Sequence, residues 1–274
     1  MQDLLYQSAL IALGAGEIAL RYYGGGEYTL KEDSSPLTQA DLESNAYILE
    51  HLALIAPYKV CSEEAVLEYE ERKDLEYYWL IDPLDGTKDF LAQNGGWTIN
   101  IALIHKHRPI LGVVYAPCFS ELYIALKGLG AFSFESALIK QNPTAQDLKE
   151  QKQKLNGERK IKESQLVACD SIFHSTKETL EFFKKYHLKP YKCGSSLKVC
   201  TLAKGEADIY PRFNGTSEWD MAACDIVLEE SGGVMLDKQT KQPLEYNKPN
   251  IKNNHFIAFA KSQIGKEIYR DFLR

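Results

Sequence analysis

The sequence predicts an α+β fold built as a layered αβ sandwich. Three observations carry that expectation. Helix-period and strand-period stretches mix without a strict βαβ rhythm, three successive strands are separated only by short turns, and no repeat of solenoid period is visible. With 274 residues, of which 45% are hydrophobic and 26% charged, the chain has the composition of a globular protein and can bury a substantial core.

Residues 3–22 carry apolar side chains at helical spacing, and Gly24-Gly25-Gly26 supplies the stop. Glu17 interrupts the apolar run and no basic leader follows Met1, so neither a signal peptide nor a membrane span is expected there. A second helix is predicted over residues 41–55, ending before Pro57. Residues 77–81, Tyr-Tyr-Trp-Leu-Ile, predict a strand halted by Asp82-Pro83. Strands over residues 98–104, 110–115 and 121–126 form the expected antiparallel meander.

Residues 135–165 are rich in Lys, Gln, Glu and Asn, and are read as a polar surface excursion. It divides an N-terminal α+β half, residues 1–134, from a C-terminal αβ half, residues 166–274. The second half opens with a strand over residues 165–169. Helices over residues 176–186 and 197–203 follow, then one starting near Asp220.

Thirty-two basic residues against 38 acidic ones give a net charge of −6, which lacks the footprint of a nucleic-acid binder. A small phosphorylated ligand needs only a local pocket and is not excluded. The six cysteines form no C-x-x-C pair and no Cys/His cluster of the zinc type, so reduced thiols in the cytoplasm are expected.

The most informative stretch is Asp82-Pro83-Leu84-Asp85-Gly86-Thr87. Two carboxylates stand where a strand ends. Pro83 biases Asp82 towards extended backbone, and Gly86 permits a sharp turn. A helix starting just after would offer free N–H groups to an anion beside carboxylates that suit a hard cation. The same hexapeptide also fits a plain capped turn. Glu63-Glu64 follows an apolar, strand-like segment and fits a solvated charge pair. Asp220 opens an apolar helix and fits an N-cap.

Taken together, Ser62-Glu63-Glu64, residues 82–87 and Trp219-Asp220 resemble the three signatures of the lithium-sensitive, magnesium-dependent phosphomonoesterases, the inositol monophosphatase superfamily. The resemblance begins at Pro36-Leu37-Thr38-Gln39-Ala40-Asp41 and covers nearly the whole chain. It implies that family's sandwich of alternating α-β-α-β-α layers. It also implies that Glu63, Asp82, Asp85, Asp220 and the Leu84 carbonyl bind two or three Mg²⁺, with Glu64 one step behind them. Asp41 and Thr87 are implied as the residues that orient and deprotonate the attacking water, or bind a further cation. The N–H groups of Gly86 and Thr87 are implied to hold the phosphate.

Gly194-Ser195-Ser196-Leu197-Lys198 and residues 207–213, Ala-Asp-Ile-Tyr-Pro-Arg-Phe, are similar to the bacterial CysQ type of 3′(2′),5′-bisphosphate nucleotidase within that superfamily. That likeness implies nucleotide contacts at His174, Gly194 and Lys198. A cation at position 198 suits a second phosphate. The alternatives are a surface lysine at 198, a solvated histidine at 174, and a structural ion pair for Arg212, which is the preferred reading of that arginine. Ser62 stands where many inositol phosphatases carry glycine.

The implied activity is removal of the 3′-phosphate of adenosine 3′,5′-bisphosphate. The partner would be this small nucleotide, the protein a monomer or homodimer with no stable membrane insertion, and any inner-membrane association peripheral. The competing functions are an inositol or broad sugar phosphatase on the same metal cage, and a non-catalytic regulator that keeps the fold. An intact set of cage residues argues against the regulator.

Overall fold

The computed structural model describes residues 1–25, 28–30, 36–160 and 164–274. Gly26 of the glycine run and residues 161–163 of the polar segment lie outside the described residues.

The N-terminal helix spans Gln2–Tyr22. Its length and apolar character would suffice to cross a membrane. Its apolar side is spent otherwise: Leu5, Ala9 and Ala12 are fully buried among the second helix and the large sheet. That second helix, Gln39–Ile55, begins at Gln39 rather than Asp41, because Thr38 is its N-cap. Asp41 occupies the third helical position and completes a capping box with Thr38.

Seven strands form the large sheet, in the order Val60–Ser62, Tyr77–Asp85, Thr98–His105, Arg108–Ala116, Glu121–Leu126, Gly130–Ser133, Gln153–Leu155. The first pair is parallel and every later pair antiparallel, so the expected meander is present. Strand Tyr77–Asp85 is covered on both faces. Trp79 and Ile81 point into the core under the N-terminal helices, while Tyr78 and Leu80 point into the central core. Burial on both sides explains its unbroken apolar run.

That strand does not stop at Asp82-Pro83, as its sequence predicts. It continues to Asp85 through a register shift: Asp82 pairs with Asn100 and Asp85 with Thr98, leaving Pro83 and Leu84 without a partner in the ladder. Proline lacks the N–H a regular ladder would need, and a bulge removes that need.

Residues 135–165 need a similar correction. Short helices Ser136–Ile139 and Ala145–Gln151 lead into Gln153–Leu155, the edge strand of the large sheet. Leu138, Ile139, Leu148 and Leu155 are buried. Four well-spaced apolar residues anchor a segment whose composition is otherwise polar. Further along, Arg159 Nε donates to the buried Asp208 at 2.8 Å.

The second sheet has five strands, in the order Lys189–Cys193, Val167–Ser171, Ile209–Arg212, Phe256–Phe259, Val234–Asp237. Its first two pairings are parallel and the others antiparallel. Between the sheets lie helices Leu197–Ala203 and Glu218–Glu230. Lys177–Lys185 and the C-terminal helix Glu267–Leu273 cover the far face of the smaller sheet through Phe183, Ile268 and Phe272. The order of layers is therefore α-β-α-β-α.

Candidate active site

The parallel pairing of Ser62 with Ile81 sets Glu63 beside Asp82, and Glu63 N–H donates to the Ile81 carbonyl at 3.2 Å. Ser62 is fully buried; its hydroxyl donates to Asn45 Oδ1 at 2.6 Å and accepts from Glu64 N–H at 3.2 Å. That serine fastens the acidic turn to the second helix. Asp220 arrives from the opposite direction. It is the third residue of helix Glu218–Glu230, not its N-cap, which is Ser217. Asp220 Oδ2 accepts Ser217 N–H at 2.8 Å.

Asp82, Asp85 and Asp220 each bring a carboxylate oxygen within 4.8 Å of the other two. Asp82 is buried and its Oδ1 accepts Leu84 N–H at 3.0 Å. Burial, then the charges of Glu63, Asp85 and Asp220, push its pKa well above the ordinary carboxylate range. Asp220 is raised to about 8, by burial first and then by Asp85 and Glu63. Such mutual repulsion among closely set acids marks a donor set for a hard divalent cation, and the residues fit one.

Gly86 follows directly, with φ 91° and ψ 45°, a left-handed conformation that glycine adopts without strain. It caps the short helix Thr87–Leu91, so Thr87 N–H opens the first turn. These residues line a cavity of about 480 Å³. Lys88, Lys198 and Arg212 line the same cavity around His174, and Lys198 is only 4% exposed, not a surface lysine. Lys198 Nζ donates to the Cys193 carbonyl at 3.3 Å and lies 5.6 Å from the Tyr210 ring centroid. Burial lowers its pKa from the usual lysine value. His174 is lowered to about 4, by burial first and then by Arg212, Lys88 and Lys198, so it is neutral at pH 7.

Two predicted site residues stand apart from the cavity wall. Gly194 is a close-approach glycine: a Cβ there would meet the Gly96 carbonyl oxygen at 2.1 Å and Asp89 Cγ at 2.8 Å. Asp41 is 1% exposed, and its Oδ2 accepts both Thr38 N–H at 2.7 Å and Thr38 Oγ1 at 2.5 Å. Its pKa is raised to about 6, by burial first and to a lesser degree by Glu64 and Glu63. Those charges mark it as a neighbour of the acidic turn.

The structure adds residues that sequence reasoning missed. Arg212 was expected to be structural, yet it lines the cavity, is 9% exposed, and its buried Nε has no hydrogen-bond partner among the described residues. Asn45, Thr98 and Asn100 belong to no motif. They lie on regular elements as buried polar positions, which a strand or helix period alone does not mark as functional.

The model of the inositol monophosphatase family matches residues 1–272. The chain belongs to the inositol monophosphatase family. Among relatives in this family, a Salmonella typhimurium protein named 3′(2′),5′-bisphosphate nucleotidase CysQ is 37% identical over 243 residues, covering 87% of this chain and 92% of its own. The protein of the same name from Escherichia coli strain K12 is 36% identical over 248 residues, covering 89% and 94%. The crystal structure of CysQ from Bacteroides thetaiotaomicron superposes with a TM-score of 0.82 at 35% identity, over 93% of this chain and 97% of that one. An inositol monophosphatase from Anabaena follows with a TM-score of 0.70 at 26% identity, over 100% and 94%. Family membership and fold thus agree with the resemblance read from the three acidic motifs.

Proposed function

We propose that the chain is a magnesium-dependent bisphosphate nucleotidase that removes the 3′-phosphate of adenosine 3′,5′-bisphosphate, giving AMP and phosphate. 3′-Phosphoadenylyl sulfate would be a second substrate, and the physiological task the clearing of a by-product of sulfate assimilation. The observation that carries this reading is one cavity lined by both kinds of charge. Its carboxylates suit cations, and its buried Lys198 and Arg212 suit a second phosphate. An inositol monophosphate has no second anionic group for those cations. The six free thiols are in keeping with a cytoplasmic location.

Glu63, Asp82, Asp85, Asp220 and the Leu84 carbonyl would hold two or three Mg²⁺, whose bound charge lowers the pKa of water and stabilises the leaving oxygen. The bulge at Pro83-Leu84 supports the carbonyl's part, because it takes Leu84 out of the regular ladder. Gly86 and Thr87 would donate N–H groups to the 3′-phosphate. Thr87 hydroxyl and Asp41 would orient the water and accept its proton. Lys198 and Arg212 Nε, which has no hydrogen-bond partner among the described residues, would donate to the 5′-phosphate, and neutral His174 would hydrogen-bond without adding charge.

Phosphate release measured side by side on adenosine 3′,5′-bisphosphate and inositol 1-phosphate tests the reading. The bisphosphate is expected to be preferred, and a preference for inositol 1-phosphate would overturn it. Lys198→Ala extends the test. A hydrogen bond to a charged group contributes about 1.5–3 kcal/mol, so kcat/KM on the bisphosphate should fall roughly 10- to 150-fold. A 3′-phosphate ester lacking the 5′-phosphate should lose far less. Equal losses on the two esters would remove Lys198 from phosphate recognition.

The raised acids also set a pH dependence. A carboxyl whose folded pKa lies above its unfolded value favours the folded state at low pH, and that advantage is lost as pH rises through the folded pKa. For Asp220 that window runs from the ordinary value of 3.8 to about 8. The metal-free protein should therefore lose thermal stability towards pH 8, and Mg²⁺ should raise Tm more at pH 8.5 than at pH 6. A thermal-shift series with and without Mg²⁺ checks this, and a larger gain at pH 6 would contradict it.

A further inference from the structure

One oxygen of Asp85 is held by the segment that leads into Lys198 and by the neighbouring strand Thr98–His105. Its Oδ2 accepts the Ser195 hydroxyl, Ser196 N–H at 2.9 Å and Asn100 Nδ2 at 3.3 Å. Behind these donors lies a closed set of hydroxyls. Ser196 Oγ donates to Asn100 Oδ1 at 2.8 Å. Thr98 Oγ1 stands 2.5 Å from Ser195 Oγ and 2.8 Å from Ser196 Oγ. Each serine has committed its own proton, one to the carboxylate and one to the amide oxygen. Thr98 Oγ1 also lies 3.2 Å from Asn100 Oδ1, to which it donates, so its single proton is shared between that amide oxygen and the two serine oxygens. Thr98, Asn100 and Ser196 are fully buried, so every one of these groups must find its partner inside the protein.

Two local sacrifices indicate that this arrangement is imposed by the site. Ser195 has φ 52°, a left-handed conformation that is costly for a residue other than glycine and is tolerated where surroundings over-determine it. Ser196 is the N-cap of helix Leu197–Ala203, a position where serine normally caps with its side chain, yet its hydroxyl makes no cap bond. It serves Asn100 instead. The segment that makes these sacrifices continues directly into Lys198.

We infer that Thr98, Asn100, Ser195 and Ser196 are positioning residues that fix Asp85 for a divalent cation and thereby link cation binding to nucleotide binding at Lys198. With Oδ2 saturated by three donors, Oδ1 is the oxygen that turns to the cation. Outer partners of a ligating carboxylate typically matter by about 10- to 100-fold in metal affinity. Because Ser195-Ser196 and Lys198 share one segment, a cation that pulls on Asp85 also orders Lys198, and linkage requires the converse. The link rests on the nucleotidase reading; the positioning of Asp85 does not.

Manganese serves as the probe, with free Mn²⁺ counted by electron paramagnetic resonance on wild type, Thr98→Val, Thr98→Ser and Ser196→Ala, with and without AMP. Wild type should bind Mn²⁺ about fivefold or more tightly when AMP is present. Thr98→Val, which keeps the shape and removes the shared proton, should weaken Mn²⁺ about tenfold and shrink the AMP effect to less than about twofold. Thr98→Ser should stay within about threefold of wild type, since it restores the hydroxyl. If Thr98→Val proves unfolded by circular dichroism, Ser196→Ala decides, with the same losses expected.

Wild-type Mn²⁺ affinity in a folded Thr98→Val or Ser196→Ala protein would overturn the positioning role, as would a loss that Thr98→Ser fails to repair. Weakened Mn²⁺ binding with the AMP effect undiminished would overturn the link. A wild type that binds Mn²⁺ but not AMP would count against the nucleotidase reading and the link with it. The Mn²⁺ affinities of the variants would still decide the role of Thr98.

Discussion

Asp82→Asn is expected to reduce phosphate release on the order of 10³-fold while making the metal-free protein more heat-stable. The two effects have one cause. Asp82 is buried, and Glu63, Asp85 and Asp220 all act to raise its pKa, so its anion is unfavourable unless a cation is present. The amide keeps the shape, and its carbonyl oxygen can still accept Leu84 N–H where Asp82 Oδ1 does so now at 3.0 Å. It removes one charge from a site whose affinity for a hard cation depends on charge count. Activity at saturating Mg²⁺ and Tm in a chelator, read on the same preparation, check both halves. Near-normal turnover at millimolar Mg²⁺ would mean that Asp82 is not a ligand. A lower Tm in chelator would mean that its burial is compensated by contacts other than a cation.

Thr87→Ala and Asp41→Asn should each lower kcat by about 10²–10⁴-fold, and the double variant should be little worse than the poorer single one. A threonine hydroxyl is no strong base at neutral pH, whereas a carboxylate that accepts its hydrogen bond can take the proton. Asp41 is suited to that part. Burial and the neighbouring acids raise its pKa to about 6, close to the operating pH where a general base works best. The hydrogen bonds seen at Asp41 run to Thr38, through both the backbone N–H and the hydroxyl. Asp41→Asn is therefore also expected to loosen the N-cap of helix Gln39–Ile55, and a Tm measurement separates that cost from the loss in kcat. Fully multiplicative losses in the double variant, with Mg²⁺ affinity unchanged, would show that the two residues work independently.

Much of this protein was determined by local sequence. The Asp82 to Thr87 hexapeptide is legible as a strand end and turn because a glycine and two carboxylates three residues apart are a local arrangement; only with Glu63 and Asp220 does it point to a cation site, and the helix that follows needs only Gly86 as its cap. The meander strands and most helices are legible for the same reason, since period and turn residues act over a few positions. What the sequence misread was set by partners distant in the chain. Pro83 reads as a strand breaker until Asn100 and Thr98 supply the offset pairing that carries the strand past it. The polar stretch after residue 135 reads as an excursion until Leu148 and Leu155 find the core, because a few anchors outweigh composition once a buried site receives them.

Lys198 reads as a nucleotide contact only through the family likeness, with a surface lysine as its alternative, and Arg212 reads as structural. A side chain's direction depends on what the neighbouring layer leaves open, not on its own neighbours in sequence. The contacts of Asp85 are the clearest case. Ser195 and Ser196 lie more than a hundred residues along the chain, and only the stacking of helix Leu197–Ala203 between two sheets brings their donors to that carboxylate. Sequence supplied the acids of the three motifs; packing of the layers decided that Asp85 Oδ2 is taken up by Ser195, Ser196 and Asn100.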